Sequence, residues 1–237
     1  MSAYREWPST LVDGAVVWTR TVLDADELPV LPDGCMDLLW MDGRLRVAGP
    51  DTRAAAEPLR IGQRVTGIRF SPGVAPTLLG VPAHELRDTR VELDELWASA
   101  SARESAEYVE AAANPLIGLE KLAAQRLTTA DPVDPLLSWV VAQLNSGRSV
   151  TEVAEYSGLG ARRLHRMSLA AFGYGPKTLA RVLRLQRALA LSRAGTPLAE
   201  TAARTGYADQ AHLARDVREF TGMPLRRLLS AQDSKAA

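Results

Sequence analysis

The sequence predicts an α+β chain. A small antiparallel β barrel or sandwich with a helical tail comes first, then an all-α region of two helix-turn-helix units joined by a long helix. Three observations predict it. Short apolar runs separated by Gly, Pro and Asp turns fill residues 1–90. Helix-length stretches with alanine-rich faces follow to about residue 130. From Ser149 to Leu225 one pattern occurs twice: a short helix with small residues inside, a glycine, then a longer arginine-bearing helix.

In chain order, Ala15-Val-Val-Trp-Thr19 reads as a strand. Leu31-Pro-Asp-Gly34 is turn chemistry. Cys35 to Trp40 alternates, with Met36, Leu38 and Trp40 on one side and Asp37 on the other. Asp42-Gly43 is a two-residue hairpin signal, and Leu45 to Ala48 is the returning strand, closed by Gly49-Pro50. Val65 to Phe70 is a further strand before Ser71-Pro72-Gly73. Short helices are then expected at Val74–Leu79, Ala83–Leu86 and Leu93–Trp97, and longer ones at Ser101–Ala113 and Pro115–Leu127. Asp131-Pro-Val-Asp-Pro135 reads as a linker, since proline stops the preceding helix and stiffens the chain. It divides 237 residues into two expected domains, 1–130 and 131–237.

Past the linker, Leu136 to Asn145 opens the helical domain. The first unit comprises Val150–Ala154, the turn Ser157-Gly-Leu-Gly160 and the helix Ala161–Phe172. Lys177 to Ala194 is the joining helix. The second unit comprises Leu198–Ala202, Thr205-Gly-Tyr207 and Asp209–Phe220, and the tail after Ser230 is expected to fray. Glycine in each turn suits the left-handed conformation that ends a helix. Spacing then sorts the faces. Leu164, Met167 and Ala171 turn inward, against Arg162, His165 and Arg166 outward, with Arg163 beside them. Leu213, Val217 and Phe220 turn inward, against Ala211, His212 and Arg215 outward, with Gln210 at the edge. Arginine forks onto guanine O6 and N7 in a major groove wide enough for a helix, so these faces point to double-stranded DNA. Lys177, Arg181 and the helix N-termini are candidates for phosphate contacts.

Charge agrees. The net charge of zero hides 13 Lys+Arg against 19 Asp+Glu in residues 1–130, and 15 against 9 in residues 131–237. Only the second half attracts phosphates. An apolar fraction of 46% and a charged fraction of 24% are those of a globular protein. No apolar run is long enough to span a bilayer, and Met-Ser-Ala-Tyr-Arg-Glu-Trp-Pro lacks the apolar core of a signal peptide, so a cytoplasmic location is expected.

The double unit resembles the DNA-binding domain of the AraC/XylS family of transcription regulators over about the last 100 residues. Ala154, Gly158, Arg162, Leu164 and Arg166 carry the resemblance in the first unit. Gly173-Tyr-Gly-Pro176, Leu179, Arg184-Leu185, Ala188 and Leu191 carry it between the units, and Ala202, Gly206, Tyr207, Leu213, Gly222, Pro224 and Leu225 thereafter. The chain departs from the family at Gly160, where a capping serine is usual, and at Ser168 and Val217, where phenylalanine is usual. In the first half, Leu31–Trp40, Ala48-Gly-Pro-Asp-Thr52 and Ile68-Arg-Phe-Ser-Pro-Gly73 resemble the N-terminal domain of one subset of AraC-like regulators. The resemblance implies a cupin-like barrel that senses a small-molecule effector or forms a homodimer, an activator rather than a repressor, and RNA polymerase as a partner.

Trp18, Trp40, Trp97, Asp37 and Arg69 could line an effector pocket with an aromatic wall and charged anchors; a barrel core with a structural ion pair accounts for the same residues. One cysteine, Cys35, excludes an intramolecular disulfide and a multi-cysteine metal site, and it reads as a small buried side chain rather than a sensor. His84 has no second histidine at ligand spacing, so no metal site is expected. No nucleophile elbow, carboxylate pair or phosphate loop is present, so no cofactor and no catalysis are expected. Two alternatives remain for the first half: a ligand-free dimerisation module, or an enzyme-like domain with the DNA-binding half as its appendage.

Overall fold

A computed structural model describes residues 2–23, 29–56 and 59–236. The first half is built on one antiparallel sheet of six strands. In chain order these are β1 (Ser2–Pro8), β2 (Val16–Val22), β3 (Met36–Met41), β4 (Arg44–Ala48), β5 (Arg64–Phe70) and β6 (Arg90–Glu92). The spatial order is β1-β2-β5-β3-β4-β6. β3 and β4 form the expected hairpin, with Asp42 and Gly43 at φ 51° and 78°, the positive values its two-residue turn demands. β5 lies between β2 and β3, pairing Asp37 with Arg69 and Trp18 with Gly67.

The sheet has two differently covered faces. Val17, Met36, Leu38, Val47, Ile68 and Phe70 pack on one side against α1 (Ala75–Leu79), α2 (Ser99–Glu110) and α3 (Pro115–Thr129). Trp18, Leu39, Met41, Ala48 and Val65 form a smaller cluster on the other, with Leu59 against it. α3 is tied to the β1–β2 turn through Glu120, whose Oε1 accepts from Ser9 Oγ (2.7 Å), Thr10 N (2.5 Å) and Leu11 N (3.1 Å).

The second half is helical: α4 (Pro135–Asn145), α5 (Val150–Tyr156), α6 (Gly160–Phe172), α7 (Pro176–Arg193), α8 (Leu198–Thr205), α9 (Gln210–Thr221) and α10 (Leu225–Ala236). One core holds them together, running from Leu137 to Leu228 and centred on Leu164, Leu179, Leu185, Leu189 and Leu213, all fully buried. Gly158 and Gly206 sit at φ 68° and 80°, so both turns use the left-handed conformation that glycine supplies without a Cβ clash. Two strands escape sequence reading, β1 and β6, and one expectation is corrected: the chain past Ser230 stays helical to Ala236 as the end of α10.

The halves meet along a closed seam. Gln186 Nε2 donates to Pro32 O at 2.6 Å, and Ala54 N donates to Phe220 O at 2.6 Å. Leu31 packs against the helical core, and the Cβ position of Gly173 falls 2.4 Å from Pro50 Cγ. Loops of the sheet domain therefore touch α6, α7 and α9.

Candidate nucleic-acid interface

The helices of the two units are capped differently. α5 opens with a reciprocal cap: Glu152 N donates to Ser149 Oγ at 3.2 Å, and Ser149 N donates to Glu152 Oε2 at 2.8 Å. α9 is capped by Asp209, whose Oδ1 accepts from His212 N at 2.6 Å. α6 has no side-chain cap, and Gly160 enters it at φ 67°. The first-turn N–H groups of α6 thus lack the acceptor that those of α9 have. Ser168 and Val217 are fully buried, and Ser168 Oγ has no hydrogen-bond partner, which costs the desolvation of a hydroxyl.

The faces fall where helical spacing put them. Leu164, Ala171, Leu213, Val217 and Phe220 are buried and Met167 is half-buried, while Arg162, Arg163, His165, Arg166, Gln210, Ala211 and Arg215 are exposed. α6 carries no carboxylate at all. His165 lies beside Gly175, where a Cβ would come within 2.8 Å of its Cε1. His212 is half-buried, edge-on to Tyr207 with ring centroids 5.1 Å apart. Its Nδ1 accepts from Ala208 N at 3.4 Å, which places the proton of the neutral ring on Nε2 as a donor.

The turn of the second unit is one residue longer: six positions separate Gly158 from Leu164, and seven separate Gly206 from Leu213. Arg166 therefore matches Arg215, while His165 matches Ala214 and Arg163 matches His212. α6 and α9 each border an open groove closed by the start of the next helix. The first, about 790 Å³, is lined by Val150, Arg162, His165, Arg166, Lys177 and Thr178, among others. The second, about 340 Å³, includes Leu198, Gln210, Arg215, Arg218 and Arg226 in its lining. Arg218 and Arg226 were missed in the sequence, although Pro224 repeats Pro176 and marks the equivalent helix start.

Arg181, a candidate phosphate contact, pairs through Nη2 with Asp216 Oδ1 at 2.5 Å and Glu219 Oε2 at 2.7 Å, with its guanidinium 4.8 Å above the Phe220 ring. Asp216 also accepts from Tyr207 OH at 2.9 Å and Arg184 Nη2 at 3.2 Å. Burial would raise the Asp216 carboxyl, but the hydrogen bonds from Arg181 and Tyr207 prevail and hold it below its ordinary range. Arg181 thus locks α7 to α9.

The candidate effector residues are only partly brought together. Trp18 Nε1 donates to Asp37 Oδ1 at 2.9 Å, and Arg69 Nε lies 3.3 Å from both Asp37 and Asp33. Trp18 sits against Gly67, where a Cβ would meet the indole at 2.4 Å. Burial pushes Asp37 up to about 6, with Asp33 adding to the rise and Arg69 and Trp18 opposing it. Trp40 is a second correction: it packs on the opposite, helix-covered face. So does Trp97, whose Nε1 donates to Leu79 O at 3.0 Å beneath the guanidinium of Arg126. Trp18, Asp37 and Arg69 partner one another, as in the structural ion-pair reading. Cys35 is half-buried; burial and the Asp33 carboxylate push its thiol well above the ordinary range. Among the described residues no group of His, Cys, Asp and Glu could hold a metal ion, and no helix is long and apolar enough to cross a membrane.

Comparison with known proteins gives two domain matches. Residues 153–231 match a helix-turn-helix domain family (HTH_18), and residues 14–92 match a domain of unknown function (DUF6597). No curated protein matches the chain. Among solved structures, apo ToxT K231A of Vibrio cholerae is similar at 11% identity and TM-score 0.48, over 92% of this chain and 97% of that one. ToxT of Vibrio cholerae O395 bound to (E)-4-(8-methylnaphthalen-1-yl)but-3-enoic acid is similar at 11% identity and TM-score 0.49, over 91% and 97%. A probable AraC family transcriptional regulator from Rhodopseudomonas palustris CGA009 is similar at 22% identity and TM-score 0.34, over 40% and 92%. The helix-turn-helix match falls on the same residues as the two tandem units and their two arginine-bearing faces, so this part of the chain carries a helix-turn-helix domain.

Proposed function

We propose that α6 and α9 read two successive major-groove segments on one face of DNA, about 10 base pairs apart. The observation that carries this is the pair of equivalent grooves, each with one matched arginine (Arg166, Arg215) beside the start of the following helix. Arg162, Arg163, His165 and Arg166 serve the first segment, and Gln210, Ala211, His212 and Arg215 the second. Lys177 in the first groove and Arg226 in the second contact phosphate, which positions the helices without specifying sequence. Because the two faces differ in chemistry, the site of one protomer is asymmetric.

In this reading residues 131–237 are the DNA-binding domain and residues 1–130 a regulatory one that senses a small molecule, dimerises, or both. The seam supports the regulatory role, since loops at Pro32 and Ala54 bond to α7 and to the end of α9. The protein then acts in the cytoplasm as an activator that engages RNA polymerase. Selection of binding sites from random DNA with wild type, Arg166→Ala and Arg215→Ala tests the two-segment reading. Each variant is expected to lose about 1–3 kcal/mol and to relax preference in a different segment. Loss at the same bases in both, or in neither, would refute it.

A further inference from the structure

A third cavity, of about 390 Å³, lies between the end of α4, the middle of α7 and the turn after α8. Arg181, Arg184 and Arg187 line it from α7, Arg148 from the α4–α5 turn and Arg204 from the end of α8. The three arginines of α7 recur every three residues and so share one helix face. None of the described lining residues is acidic. The carboxylates nearby are already engaged: Asp216 with Arg181 and Arg184, Glu219 with Arg181, Glu200 with Arg204 at 3.3 Å, and Glu152, which also feels the charge of Arg148, with Ser149 N at 2.8 Å. Arg187 Nη1 donates to Asn145 O, and Arg148 sits 5.0 Å above the exposed Tyr156 ring; neither forms an ion pair with a carboxylate among the described residues. The Nε atoms of Arg184 and Arg187 are buried with no acceptor. Burial, and then the charge of Arg184, disfavour the protonated Arg187, as crowded like charges do.

We propose that this cavity is a phosphate-recognition site separate from the two reading grooves. Five guanidinium groups face four engaged carboxylates, so the lining keeps an excess of positive charge that a phosphate anion matches. Guanidinium forks fit phosphate oxygens two at a time, and buried donors without acceptors gain most from such a partner. The volume suits a phosphorylated small molecule. Position gives the site a consequence. Arg148 precedes Ser149, which caps α5, and Gly206 turns the chain into α9, so an occupant holds the start of the first unit and the turn of the second at a fixed distance.

The test is titration calorimetry of the full chain with inorganic pyrophosphate at constant ionic strength, together with the salt dependence of DNA binding. Two variants are compared with wild type. R148Q/R204Q removes two cavity arginines that make no buried ion pair, and R162Q/R163Q removes charge from the face of α6. Pyrophosphate binding that weakens at least tenfold in R148Q/R204Q and survives in R162Q/R163Q establishes the site for a free phosphorylated ligand. If the phosphate belongs to the DNA backbone, R148Q/R204Q instead lowers the slope of log K against log salt by about 0.9 for each phosphate it no longer neutralises. The proposal is overturned if the salt slope of R148Q/R204Q equals that of wild type and pyrophosphate either does not bind or binds R148Q/R204Q as tightly as wild type.

Discussion

Asp216→Ala should destabilise the helical half by about 3 kcal/mol. Asp216 is 4% exposed and accepts hydrogen bonds from Arg181, Arg184 and Tyr207, joining α7, α9 and the turn between α8 and α9. Breaking a buried pair costs about 3–5 kcal/mol, and orphaning the Tyr207 hydroxyl adds about 1–3. Two facts pull the total down. Arg181 is 38% exposed and retains Glu219, and Arg184 retains the face of the Tyr207 ring at 4.1 Å. Solvent screening therefore removes much of the Arg181 contribution. Asp216→Asn keeps an oxygen acceptor and should cost about half as much as alanine. The sign with pH follows from the lowered carboxyl. The charged form is the one the fold favours, so its stabilisation is complete above the unfolded value near 3.8 and fades as pH falls through the folded one. Urea unfolding of the full chain, followed by far-UV circular dichroism from pH 3 to 7, measures this. A loss below about 1 kcal/mol for Asp216→Ala at pH 7, or a gap between Asp216→Asn and wild type that widens on acidification, would refute the reasoning.

Two further outcomes follow from the sheet domain. Asp37 titrates in the opposite sense: because its folded value is raised, its own contribution to stability is complete below about pH 4 and falls as pH rises to about 6, by up to ~3 kcal/mol. Asp37→Asn should flatten the stability curve of the sheet domain across that interval, and an unchanged slope would show that the carboxyl is not held protonated by burial. Cys35→Ser should leave DNA binding and transcriptional output under oxidant unchanged, because burial and Asp33 disfavour the thiolate; an oxidant response abolished by that change would contradict this.

The helical half was legible because its evidence is local. The spacing of Leu164, Ala171, Leu213 and Phe220 states which side is buried, and the arginines between them state what is left outside. Asp42-Gly43 likewise announced its hairpin. β1 was not legible: its residues Tyr4 to Pro8 are all exposed, so no buried stripe marks them, and the segment is a strand because β2 pairs with it. Nor was the role of Arg181, which depends on Asp216, thirty-five residues away. The candidate effector residues were divided by the sheet itself: alternation along Cys35–Trp40 already set Trp40 opposite Asp37. Arg226 was readable from the repeat of proline at 176 and 224, a signal that only a unit-against-unit comparison brings out.

The extra residue in the second turn limits how the two reading helices could be exchanged. A chimaera that moves 161–172 into the second unit, aligned on the glycines, would leave the incoming helix one residue out of step. One residue is about 100° of rotation. Leu164, wholly buried in its own unit, would swing toward the groove, and His165 would turn into the core in its place. A workable exchange must carry the helix together with its own turn, from Ser157 onward, so the transferable cassette in this protein is turn plus helix.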